Sequence, residues 1–185
     1  MSYEFADGYK IRDQKAMYFI TFTVEGWIDL FTRQVYRDIL IKNMNYCRRE
    51  KGLFLGAFVI MSNHLHVNWQ CRWGRLSDTI RDFKSYSTKL FIDTINTGVE
   101  SRKDWLLYMF QYYAKGTNQN KEYKIWTNDN HPEEIRSEKF LRSKLNYIHE
   151  NPVRAGWVKG ATDYTYSSAS NYNIGKGIME IDYLL

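Results

Sequence analysis

The stretch FLGAFVIMSNHLHVNWQ, Phe54 to Gln70, decides the fold. Its first half, Phe54 to Met61, is an almost unbroken apolar run, the pattern of a strand buried on both faces. Ser62-Asn63 interrupts the run, and His64 to Gln70 then alternates. On a strand His64, His66 and Asn68 share one face, and Leu65, Val67 and Trp69 share the other. Two strands with so short a break between them predict a hairpin.

Upstream, Met17 to Val24 is rich in aromatic and β-branched residues and ends at Glu25-Gly26, which reads as a strand. From about Thr32 the period becomes helical, with Val35, Ile39, Met44 and Tyr46 expected on the inner stripe and Gly52 as the stop. Downstream, Leu76 to Asn96 repeats Leu76, Ile80, Phe83, Ser87 and Leu90 at helical spacing. Asp104 to Ala114 reads as a short aromatic helix, Lys115 to Glu122 as a polar loop, and Tyr123 to Trp126 as a last short strand. Ser137 to Glu150 is a final long helix. Ser137 is its N-cap, Leu141, Leu145 and Ile148 are its stripe, and Pro152 is expected to forbid continuation. The polar, tyrosine-rich tail after Trp157 carries no clear pattern. The order β-α-β-β-α-(β)-α predicts an α+β fold, a ferredoxin-like antiparallel sheet with helices packed mainly on one face.

The chain of 185 residues has no low-complexity run, no internal repeat and two prolines, which reads as a single domain over 1–185. No stretch reaches the roughly 18 consecutive apolar residues of a membrane helix, and MSYEFADGYK lacks the pattern of a secretory signal. The expectation is a cytoplasmic protein with no membrane partner. Cys47 and Cys71 lack zinc-ligand spacing and read as reduced thiols. A net charge of +5 favours phosphate-bearing partners, and the 17% aromatic content supplies rings able to stack on unpaired bases or to fill the core.

His64 and His66 sit ~6.5–7 Å apart along one strand face, where two imidazoles can converge on a divalent cation. A bare His-x-His pair is equally the polar face of a strand. Tyr147 lies on the last long helix, with Glu150 and Asn151 on the same face. A tyrosine oxygen can attack phosphorus once the phosphate charge is screened, yet with 15 tyrosines nothing in the chemistry alone singles out this one.

The segment Met61-Ser62-Asn63-His64-Leu65-His66-Val67, behind an apolar strand, resembles the His-hydrophobic-His motif of the single-tyrosine HUH-type transposases, a family of HUH endonucleases. Tyr147-Ile148-His149-Glu150-Asn151-Pro152-Val153-Arg154-Ala155-Gly156-Trp157-Val158 is similar to that family's catalytic-helix signature, especially in its REP-associated branch. Phe19 to Thr23, Trp126 and Tyr166 to Ala169 are further echoes, and the resemblance spans about 9–172.

The resemblance implies that His64 and His66 hold Mg²⁺ or Mn²⁺ and that Tyr147 is the catalytic nucleophile. The implied activity is cleavage and rejoining of hairpin-bearing single-stranded DNA through a 5′-phosphotyrosine intermediate, with no nucleotide cofactor; a homodimer is the assembly that family members often adopt. Family spacing places the third metal ligand at Asn151. The position before proline is disfavoured in helices, and Glu150, a carboxylate, suits a hard cation better, so both stand as candidates. Arg12, Arg81, Lys84 and Arg154 are the candidate DNA contacts, Arg154 because it belongs to the helix signature. His131 and His149 read as loop and packing residues. The alternatives are a catalytically silent relative that binds hairpin DNA or RNA, and a His-x-His metal oxygenase. The latter is disfavoured because Val67 to Arg72 contains no acid.

Overall fold

Why the chain folds around Phe54–Gln70 is visible in a computed structural model that describes residues 10–116 and 122–184. Residues 1–9, and most of the polar loop expected between Lys115 and Glu122, lie outside the described residues. The apolar run forms β2 (Leu53–Ile60), and the alternating run forms β3 (His64–Cys71). They pair antiparallel as the expected hairpin, with an irregularity between Leu55 and Ala57. β1 (Tyr18–Thr23) pairs antiparallel with β3 so that Thr21 stands opposite His66 and Phe19 opposite Asn68. The sheet order is β2-β3-β1-β4, the ferredoxin-like arrangement.

The expected fourth strand at Tyr123 to Trp126 is corrected. There only Trp126 pairs, with Val24, and β4 is the two-residue Glu133–Glu134 beside Tyr18 and Phe19. Trp126 instead serves the core. Its ring meets Phe31, Phe83 and Phe91, and its indole N–H donates to Ser87 Oγ at 3.0 Å. Burying a large ring against other rings outweighs another pair of ladder bonds.

Helices α1 (Gln34–Glu50) and α2 (Leu76–Thr97) cover the sheet face that carries Leu65, Val67 and Trp69. Phe22, Trp69 and Phe83 interlock there at 5.0–5.2 Å between centroids. The inner stripe of α1 departs from expectation. Val35 and Tyr46 are exposed, whereas Tyr36, Leu40, Asn43 and Cys47 are buried with Ile39 and Met44. The polar Asn43 is admitted because its amide donates to the Phe83 carbonyl at 2.9 Å. α3 (Lys103–Lys115) packs on α2.

α4 (Glu138–Arg154) lies on the opposite face, over β2 and β3. Ser137 caps it as expected, accepting from Phe140 N at 3.2 Å. Pro152 does not stop it. The ring is buried in the last turn, where its φ suits a helix and only the bond to the Ile148 carbonyl is lost. Termination comes at Gly156, φ +73, through Gly156 N–H to Val153 O and Trp157 N–H to Pro152 O. This is a Schellman closure.

The unassigned tail covers the free edge of β2. Ile60 N donates to Tyr166 O, Ser168 N to Phe58 O, and Asp182 N to Leu55 O. The short helix α5 (Ala169–Ile174) sits within it. An unpaired edge would otherwise invite other strands. Cys47 and Cys71 are both buried free thiols. Among the described residues no helix is long and apolar enough to cross a membrane.

A Cβ at Gly156 would meet nothing within 4 Å, so Gly156→Ala isolates the backbone cost of its left-handed conformation. Thermal or urea melting should show a loss of about 1 kcal/mol; an unchanged midpoint would mean that the closure contributes nothing.

Candidate functional site

The register of β1 against β3 sets His64 and His66 side by side, their rings 4.7 Å apart between centroids. His66 is buried and stacks on Phe19 at 5.3 Å. Its Nδ1 is 2.9 Å from Thr21 Oγ1, the residue directly across the ladder. Asn63, in the hairpin turn, donates through Nδ2 to the Trp27 carbonyl at 3.2 Å, which leaves its Oδ1 facing His64 Nδ1 at 2.7 Å. An amide oxygen only accepts, so His64 carries its proton on Nδ1 and a lone pair on Nε2. His66 is likewise held at Nδ1, by the Thr21 hydroxyl. An imidazole oriented through one ring nitrogen by a neighbouring polar group is the usual setting of a metal-binding histidine.

Burial pulls the His64 imidazolium down to about 4. Burial, then His64, Lys144 and Arg154 as neighbouring charges, pull His66 to about 3. Both rings are neutral at physiological pH, the form in which imidazole ligates.

α4 brings Tyr147 to this pair. Its ring stands 5.2 Å from His66 and 5.8 Å from Phe19, and it is 40% exposed. Arg154 lies over the Tyr147 ring at 4.5 Å and donates to the Tyr147 carbonyl at 2.8 Å. Lys144, one turn before Tyr147, was not singled out by sequence. Its ammonium is 4.3 Å from the Phe19 ring, 6.0 Å from the Tyr147 ring, and ion-paired with Glu133 at 2.6 Å. Its spacing of three from Tyr147 on a helix was the signal that could have found it.

Asn151 is helical despite preceding proline, its carbonyl accepting from Ala155 N at 3.0 Å. Glu150, the other candidate, is half-buried on the same helix, and among the described residues no three His, Cys, Asp or Glu side chains gather as a metal-binding group. Asn68 is a further polar group on the same face of β3. It is fully buried, and neither amide atom has a hydrogen-bond partner.

The remaining candidates lie elsewhere. Lys84 and Arg81 line a cleft of about 1110 Å³ between α2 and the 122–132 segment, on the far side of the sheet. Lys84 donates to the Thr127 carbonyl at 2.8 Å, and Arg81 is ion-paired with Asp78 and Asp82. Arg12 is exposed ahead of β1. His149 packs α4 to the tail, 2.9 Å from Ser168 Oγ, and His131 sits in an exposed loop.

Two imidazoles on one strand face thus stand opposite a tyrosine on the helix across it. The chain is similar to the REP-associated tyrosine transposase of Escherichia coli (strain K12), 24% identical over 152 residues, which is 81% of this chain and 72% of that protein. Among solved structures it is similar to a REP-associated tyrosine transposase described as bound to a REP hairpin. That match has a TM-score of 0.61 and 22% identity, covering 97% of this chain and 92% of that one. No family model matches. The resemblance read from the two motifs is borne out in sequence, and the α+β architecture in fold.

Asn68→Leu removes two orphaned polar atoms and should raise stability by about 1 kcal/mol in chemical denaturation. A destabilised variant would show that the amide has a partner in solution.

Proposed function

We propose that this chain is a metal-dependent single-tyrosine nuclease of the transposase kind, cleaving and rejoining hairpin-bearing single-stranded DNA. The observation that carries the reading is the placement of the Tyr147 ring, 5.2 Å from the His66 ring, against two adjacent imidazoles that burial keeps neutral. The name of the curated relative supports the transposase class, and the solved relative's hairpin supports hairpin DNA as the ligand.

The donor set fits Mg²⁺ or Mn²⁺. His64 and His66 would hold the ion, with the amide oxygen of Asn151, one helical turn from Tyr147, as third donor. Once bound, such an ion polarises a phosphodiester and screens its charge. The chain's own groups do the rest. Arg154 and Lys144 set cationic charge around the Tyr147 ring, where an incoming phosphate is drawn and held. The Tyr147 oxygen attacks phosphorus. Its bond to phosphorus forms as the bond from phosphorus to the 3′ oxygen breaks, leaving a 5′-phosphotyrosine and a 3′-hydroxyl; the phenolic proton leaves to solvent and the 3′ oxygen takes one up. Attack by another 3′-hydroxyl reverses the step and restores the tyrosine. One ester replaces another, so no nucleotide cofactor is consumed.

Wild type and Tyr147→Phe should be incubated with a labelled hairpin-bearing single strand and Mg²⁺ or Mn²⁺, then run on denaturing gels. A covalent protein–DNA adduct is expected for wild type alone, and an adduct that survives Tyr147→Phe moves the nucleophile elsewhere. His64→Ala should lose roughly a hundredfold or more in cleavage while keeping most hairpin affinity. Equal collapse of binding would make the histidines structural, and tight hairpin binding by wild type without any adduct would identify a silent binder.

A further inference from the structure

Trp27 is unfavourable twice over. Its φ is +56, in the left-handed region, where a bulky L side chain is disfavoured. Among the described residues His131 is the only other non-glycine there. Its indole is also 66% exposed, forgoing the burial that normally recompenses so large a ring.

The backbone has a visible reason. Gly26, φ +60, and Trp27 form a tight turn after β1, and a Cβ at Gly26 would collide with the Tyr113 hydroxyl. The turn aims the Trp27 carbonyl at Asn63, whose amide then holds His64. Glycine would serve that purpose with less strain, so the backbone explains the turn and leaves the side chain unexplained. The ring stands at the rim of the histidine pair, 6.2 Å from His64 between centroids and at 74° to it. Most of its surface is open to solvent.

We propose that Trp27 is a stacking platform for one unpaired base of the single strand, next to the phosphate presented to Tyr147. The proposal rests on the nucleic-acid reading above. An indole accepts any base on its face, loses little conformational freedom in doing so, and carries no charge. Its contribution is therefore insensitive to salt, unlike that of a lysine or arginine on phosphate.

The test uses the full chain, without divalent metal, and a fluorescently labelled mixed-sequence single strand titrated by anisotropy at several salt concentrations. Trp27→Ala and Trp27→Gly should each weaken binding about tenfold, Trp27→Phe should keep most of it, and the slope of affinity against salt should not change. Trp27→Gly should melt no lower than wild type, since glycine suits the turn, which separates loss of the ring from loss of the fold. Wild-type affinity in Trp27→Gly, a loss in Trp27→Phe as large as in Trp27→Ala, or an altered salt slope overturns the platform. So does a wild type that ignores the single strand, or a Trp27→Gly variant that changes oligomeric state and not affinity. Absence of the covalent adduct with wild type would sink the nuclease reading while leaving these affinities to stand or fall on their own.

Discussion

A strand can be moved against its neighbour only at the cost of turning every side chain over. The pairing of β1 with β3 is the constraint on which this molecule depends. A slip of one residue would send His64 and His66 into the α2 side and bring Leu65, Val67 and Trp69 out beneath α4. Phe22, Trp69 and Phe83 oppose that slip, because each is fully buried in one interlocked cluster. Burying such a ring is worth about 1.5–3 kcal/mol, so three together hold the register firmly. Thr21 then falls opposite His66, and its hydroxyl meets the imidazole without any further device.

A β-α-β-β-α-β core alone would leave the histidine face open to water. α4 closes it, and three attachments fix where α4 lies. Lys144 reaches Glu133 on β4, His149 reaches Ser168 in the tail, and Ile148 is fully buried. The tail is itself fixed to β2 by backbone bonds. Tyr147 thus inherits its position from both edges of the sheet, β4 at one side and the covered edge of β2 at the other. Elements remote from the tyrosine in sequence decide what it faces.

How much of this was legible in the sequence follows from how each part is encoded. The hairpin, β1, α2 and the Ser137 cap were readable because period and capping chemistry are local. β4 was not, since two residues beside β1 have no pattern of their own, and Tyr123 to Trp126 offered a more strand-like composition for a segment whose tryptophan packs into the core. The inner face of α1 was misplaced because counting apolar residues cannot foresee that Asn43 finds the Phe83 carbonyl. Pro152 misled because a helix within a turn of its end can hold a proline. In the site, His64, His66 and Tyr147 were found through motif resemblance, and their convergence is a property of the fold. Lys144 was missed because its partners, Phe19 and Glu133, are set by packing and not by neighbouring sequence. Lys84 and Arg81 were proposed as DNA contacts from charge alone, and they line a cleft on the α2 side of the sheet.

The departures from good packing are themselves distributed with a pattern. Remote from the histidines, buried polar groups are largely paired: Tyr36 with Glu100, Asn43 with Phe83, Trp126 with Ser87. Elsewhere the buried side chains without partners, such as Trp69 Nε1 and Arg37 Nε, lack one at a single atom. Asn68 alone among the described residues lacks both, and it shares a strand face with His66. Beside it stand two imidazoles that burial keeps neutral, two cations drawn near them, and a tryptophan held in a left-handed turn. The unpaired amide, the buried imidazoles and the left-handed tryptophan each cost stability, and none is required by the ferredoxin-like core. A fold selected only to persist would have replaced them with apolar residues, as it did on the opposite face of the same strand. Their coincidence on one side of β3 is what a working surface looks like when a stable scaffold carries it.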